Sequence, residues 1–191
     1  MRLFVAIELD GRVLDETTRV IGELRRRAER MAPHARITWV AGERQHLTVR
    51  FLGAVDDPQV DAVCGALAAP VPVAPFDASI TGTGAFPPSG PPRVLWAGIG
   101  SGRAQVLDVE GHVSSRLSRI GIAPEARTFS PHLTLARVRV PAGLRTRALF
   151  EGLADHRFGV STISAITLFE SLLSPNGSTY RAVQRTELHV K

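Results

Sequence analysis

TFSPHLTLARV (Thr128–Val138) and QHLTVRFL (Gln45–Leu52) are two copies of one pattern. Each holds His-Leu-Thr and then an aliphatic residue: His46-Leu47-Thr48-Val49 and His132-Leu133-Thr134-Leu135. The two histidines stand almost half a chain apart. The chain has 6 His and 13 Thr in 191 residues, so His-x-Thr is expected about 0.4 times by chance, and a shared leucine makes the repeat rarer still. Both tetrapeptides are β-branched or aliphatic around the polar pair, without Gly or Pro, which predicts strands. On a strand, residues i and i+2 share a face. Each copy therefore sets one imidazole beside one hydroxyl, and two such strands would put two His and two Thr around one cleft. On these residues alone, two strands each holding a half-buried, hydrogen-bonded histidine would read the same way.

Working outward, the pattern predicts strands at Arg2–Glu8, Arg36–Val40, Phe76–Phe86, Arg93–Ile99, Ser164–Leu173 and Tyr180–His189, the last two joined by the turn SPNGS. Amphipathic helices are predicted at Gly11–Met31, Pro58–Ala69, Ala104–Ile120 and Gly143–Ala154. Each motif strand is thus preceded by a long helix and followed by a shorter one. This order suggests a duplicated helix–strand–helix unit with a pseudo-twofold. Several successive strands lack a helix between them, which favours antiparallel pairing over a doubly wound sheet.

Composition bounds the rest. Apolar content of 44% and charged content of 21% describe an ordinary globular domain with a core. The formal net charge is +5, and every basic residue but Lys191 is arginine. Guanidinium suits phosphate, hence a nucleotide or nucleic acid; an Ala-, Gly- and Arg-rich composition from GC-rich coding gives the same excess. The single cysteine, Cys64, excludes an intrachain disulfide and reads as a small core residue. The amino terminus lacks a signal-peptide pattern, and no apolar run reaches membrane-spanning length. The default expectation is a cytoplasmic protein with no membrane partner.

RLFVAIEL, HLTVRFLG, GTGAFPPSGPPRVLWAGI, FSPHLTLARV and ITLFESLLSPNGSTY resemble, in order, blocks of the RNA 2′,3′-cyclic phosphodiesterases, first named 2′-5′ RNA ligases, of the 2H phosphoesterase superfamily. The resemblance runs from residue 2 to about residue 189. Its two H-x-T-x motifs map onto His46–Val49 and His132–Leu135; Ser130 stands where relatives often carry a basic residue. The resemblance implies an α+β, bilobal fold, with two antiparallel sheets lining a central cleft and helices outside. It implies one domain over residues 1–191 made of two intertwined lobes, one motif per lobe; a monomer is the expectation for the chain.

The chemistry implied is metal-independent hydrolysis of 2′,3′-cyclic phosphate ends of RNA to 2′-phosphomonoesters, with no cofactor. A neutral imidazole takes a proton from water and an imidazolium gives one to the departing ribose oxygen. The sequence alone leaves acid and base unassigned; by resemblance His46 is the proton donor and His132 the acceptor, with Thr48 and Thr134 on the non-bridging oxygens. Arg50, Phe51 and Arg137 are candidate substrate contacts. By strand parity Arg50 faces the cleft, Phe51 faces the core unless it stacks on a base, and Arg137 points away from His132 unless the strand bends. Alternatives are 2′-5′ RNA ligation by the same site and a non-catalytic nucleotide- or RNA-binding module. A zinc hydrolase fits less well, because a catalytic zinc needs about three protein ligands and His34, His112, His156 and His189 are scattered.

Overall fold

The computed structural model describes residues 1–174 and 177–189. In chain order the elements are β1 (Arg2–Ile7), α1 (Gly11–Met31), β2 (Arg36–Trp39), a 3-10 turn (Gly42–Arg44), β3 (Leu47–Ala54), α2 (Asp57–Leu67), β4 (Phe76–Phe86), β5 (Val94–Ile99), α3 (Arg103–Arg119), β6 (His132–Val140), α4 (Thr146–Leu149), β7 (Arg157–Ile163), β8 (Ala165–Ser174) and β9 (Gly177–Glu187). Of the expected SPNGS turn over 174–178, residues 175–176 lie outside the described residues, and Ser174 pairs with Gly177 across it.

All strands pair antiparallel, in the order β7-β4-β5-β6-β3-β1-β8-β9, with β2 added to β6. The two expected sheets are the halves of this array. Each has four strands, β6-β5-β4-β7 and β3-β1-β8-β9, and they join through one register pair, Leu47 with Leu133. The repeat is visible in the chain path. β1 leads into α1 and, by way of β2 and the 3-10 turn, β3; β5 leads into α3 and then β6.

The long helices cross between the halves. α1 buries Val13, Thr17, Val20, Ile21, Leu24 and Ala28 as one stripe. It follows β1 but packs against β7, in the other half. α3 buries Val106, Val109, Val113 and Leu117 at the same spacing. It follows β5 but packs against β3. This crossing ties the halves together, and the core runs through both. Asp56 starts α2 by accepting a hydrogen bond from the Gln59 backbone at 3.0 Å, with Pro58 in the first turn.

Two predictions need correction. The helix expected over Gly143–Ala154 is a single turn, Thr146–Leu149. Ala142, Gly143 and Gly152 all have positive φ, which a right-handed helix cannot contain. The strand β7 was not predicted. Phe158 and Ile163 are buried there, but Gly159 interrupts the apolar alternation. That glycine has φ +133°, and a Cβ in its place would meet Val13 of α1 at 3.1 Å. It is there so that the helix can lie close on the sheet.

Candidate active site

Both motif strands carry a bulge at the fourth residue of the motif. On β3, Thr48 pairs with Ala6 and Arg50 with Val5, leaving Val49 as the extra residue. On β6, Thr134 pairs with Trp96 and Ala136 with Leu95, leaving Leu135 extra. Two consecutive residues then face inward on each strand: Val49 and Arg50 are 3% and 4% exposed, Leu135 and Ala136 both 0%. A bulge of this kind re-aims every later side chain. His46, Thr48, His132 and Thr134 stay half-buried on the face opposite Leu47 and Leu133. Phe51 and Arg137, five residues after their histidines, return to that face and are exposed.

The face opens into a cleft of ≈480 Å³ lined by His46, Thr48, Thr134, Phe51 and Arg137, together with Arg2, Phe4, Arg44 and Tyr180. His132 is not among its lining residues; it stands beside it, two residues before Thr134. The antiparallel pair Leu47–Leu133 orders the four motif side chains in a cross. One step along the register sets Thr48 toward His132, and one step back sets His46 toward Thr134.

Each imidazole is held in the same way. His46 Nδ1 lies 3.0 Å from the Arg44 carbonyl, and His132 Nδ1 lies 2.7 Å from the Ser130 carbonyl, both two residues upstream. A carbonyl only accepts, so Nδ1–H donates in both, and Nε2 is left as the unprotonated nitrogen of the neutral ring. Aromatic rings fix the planes. Phe4 lies along His46 at 4.8 Å and Tyr180 meets it edge-on at 5.1 Å. Phe86 meets His132 edge-on at 5.1 Å.

Burial lowers the His46 pKa to about 4, and the Arg137 cation lowers it further against the Arg44 carbonyl and the Glu8 carboxylate. His132 is lowered for the same first reason and by the same arginine, against the Ser130 carbonyl. Both shifts favour the neutral imidazole at pH 7. With Arg2, Arg44 and Arg137 lining it, the cleft is a cationic pocket suited to an anion.

Sequence parity put Arg50 in the cleft, and the structure corrects this. The bulge at Val49 turns Arg50 inward to α3, where its guanidinium donates to the Ala123 carbonyl and the Ser114 hydroxyl. Phe51 and Arg137 move to the cleft for the same reason. Arg2, Arg44 and Tyr180 were not singled out. Arg44 had a signal, because its place two before His46 matches that of Ser130 before His132. Cys64 is half-buried beside the core. Among the described residues no group of three or more His, Cys, Asp or Glu could hold a metal ion, and no helix is long and apolar enough to cross a membrane.

Three comparisons bear on this arrangement. The family described as LigT like Phosphoesterase matches residues 13–96 and 100–180. An RNA 2′,3′-cyclic phosphodiesterase of Aeropyrum pernix is 34% identical over 145 residues, covering 75% of this chain and 82% of that protein. One of Methanocaldococcus jannaschii is 28% identical and covers 96% and 99%. The crystal structure of TT0787 of Thermus thermophilus superposes with a TM-score of 0.81 at 26% identity, over 100% of both chains. The two His-x-Thr strands, the crossed helices and these matches agree, and the chain belongs to the LigT-like phosphoesterases of the 2H superfamily.

Proposed function

We propose that this protein hydrolyses RNA 2′,3′-cyclic phosphate ends to 2′-phosphomonoesters, without a metal, through His46 and His132. The observation that carries the reading is the twin imidazole geometry. Both rings commit Nδ1–H to a backbone carbonyl and keep Nε2 for chemistry, on two strands joined at Leu47–Leu133. The substrate class is supported by the relatives, which bear the name RNA 2′,3′-cyclic phosphodiesterase.

In this reaction a water oxygen attacks phosphorus while His132 Nε2 takes its proton. The bond from phosphorus to the ribose O3′ breaks, and O3′ takes a proton from His46 Nε2. The product has a 2′-phosphate and a free 3′-hydroxyl. Thr48 and Thr134 donate hydrogen bonds to the non-bridging oxygens as charge builds there. Arg137 neutralises the phosphate and Phe51 offers a face to a base. His46 needs a proton to act as acid. The incoming phosphodiester anion raises its pKa, so the acid forms with the substrate in place.

The test is an oligoribonucleotide ending in a 2′,3′-cyclic phosphate, incubated with EDTA and with wild type, His46→Ala or His132→Ala. A 2′-phosphate made by wild type and lost by at least about 10²-fold in each variant supports the reading. Activity abolished by EDTA, or retained by either variant, overturns it.

A further inference from the structure

We propose that an exposed arginine strip on β2 and β6, leading out of the cleft, docks the backbone of the RNA strand whose cyclic end enters the site. This rests on the phosphodiesterase reading above and extends it from an RNA end to a polynucleotide.

β6 runs outward from the site, from His132 to Val140. β2 runs inward beside it, and the residue after it, Val40, lines the cleft. Thr38 pairs with Arg137, so these two share the cleft-side face. Arg139 is the extra residue of a second bulge on β6, between Val138, which is 7% exposed, and Val140; like Arg137 it is exposed. Arg36 stands two before Thr38, opposite Val140 after a slip of register. Arg137, Thr38, Arg139 and Arg36 are all exposed. They make one polar row directed away from the histidines, with same-face neighbours about 7 Å apart along a strand.

The row has no internal compensation. Neither β2 (RITW) nor β6 (HLTLARVRV) holds a carboxylate. None of the three arginines joins an ion pair among the described residues. Unpaired guanidinium groups in a line form a phosphate-binding surface that reads charge rather than sequence. A mononucleotide would fill the cleft as far as Arg137 and leave Thr38, Arg139 and Arg36 unused. A 2′,3′-cyclic phosphate is by its chemistry a 3′ end, so the strip takes the nucleotides on the 5′ side.

The experiment uses the double variant Arg36→Gln/Arg139→Gln, both positions lying outside the cleft. Turnover is measured on uridine 2′,3′-cyclic phosphate and on a ten-nucleotide RNA ending in a 2′,3′-cyclic phosphate. Fluorescence anisotropy measures binding of the same RNA with a plain 3′-hydroxyl. The expected result is an unchanged kcat/KM on the mononucleotide and a loss of roughly tenfold on the RNA at low salt. The slope of log Kd against log salt should fall by about 1.4, two phosphate contacts on a single strand. Equal loss on both substrates, or no loss on the RNA, overturns the track. If wild type turns over neither substrate, the phosphodiesterase reading fails. The anisotropy slope then decides the track by itself: a reduced slope upholds it and an unchanged slope overturns it.

Discussion

Phe51 and Arg137 occupy the same place in the two motif strands. Each lies five residues after its histidine and is returned to the cleft by a bulge at the fourth motif residue. The scaffold is repeated, but the side chain offered there is not: one half presents a ring and the other a cation. On the proposed reading the two halves hold different parts of one ligand. Phe51→Ala should raise KM roughly tenfold on an RNA end, the scale of one lost base stack, with kcat within about twofold. Steady-state kinetics read the split. A fall in kcat at constant KM would mean that Phe51 positions His46 through Phe4 rather than holding the base.

The pH profile should carry the signature of a buried acid. In the proposed reaction the reactive free form has His46 protonated and His132 neutral. His46 sits at about 4, so above neutrality its protonated fraction falls tenfold per pH unit. kcat/KM should then fall with slope −1 from about pH 7 to 9, while kcat holds to higher pH because the bound phosphate raises the acid. Arg137 lowers both histidines. Arg137→Gln should move the falling limb of kcat/KM to higher pH, apart from any loss of phosphate binding. A flat kcat/KM from pH 5 to 9 in wild type would remove His46 as the acid.

Stability should show the same histidine with no substrate present. Its folded pKa of about 4 lies below the ordinary 6.5. As pH falls, the unfolded chain takes up its proton first. The contribution is complete above about pH 6.5 and is lost as pH drops toward 4. Between pH 7 and 5 it amounts to at most about 2 kcal/mol. His46→Phe, placed between Phe4 and Tyr180, should show that much less loss in urea melts at the two pH values. An identical pH dependence in both proteins would mean that His46 takes up its proton without cost in the fold.

How much of this was legible beforehand follows from where the information resides. The His-x-Thr repeat is local, and it marked both motif strands and all four motif side chains. α1 and α3 carry clean apolar stripes and were bounded within a residue or so. The bulges at Val49 and Leu135 are not local. They come from fitting β3 against β1 and β6 against β5, and neither residue has an unusual side chain. Strand parity therefore failed beyond the bulge, sending Arg50 to the cleft, Phe51 to the core unless it stacked on a base, and Arg137 away from His132 unless the strand bent. β7 was missed because Gly159 answers to Val13 on a distant helix. The joining of the halves at Leu47–Leu133 is a tertiary fact with no sequence mark beyond the shared leucine.

Arg50 offers the sharpest contrast between parity and structure. The residue is 4% exposed, and its guanidinium holds the Ala123 carbonyl and the Ser114 hydroxyl and keeps its Nε without a partner among the described residues. Nearby, the Glu125 carboxylate accepts from the Phe51 backbone at 3.3 Å, so the segment before β6 is fastened to the back of β3 at two points. Arg50→Leu deletes the donors and leaves the Ala123 carbonyl without them. It should lower stability by about 2–4 kcal/mol, read as a drop in Tm. In the protein that remains folded, kcat/KM should change by less than about threefold, because no part of the side chain reaches the cleft. Arg137→Leu should do the reverse: little change in Tm, since an exposed charge contributes about 0–1 kcal/mol, and a loss of at least tenfold in kcat/KM with the phosphate contact. If Arg50→Leu instead lowered kcat/KM steeply at an unchanged Tm, the guanidinium would have to reach substrate, and the inward turn at Val49 would be wrong.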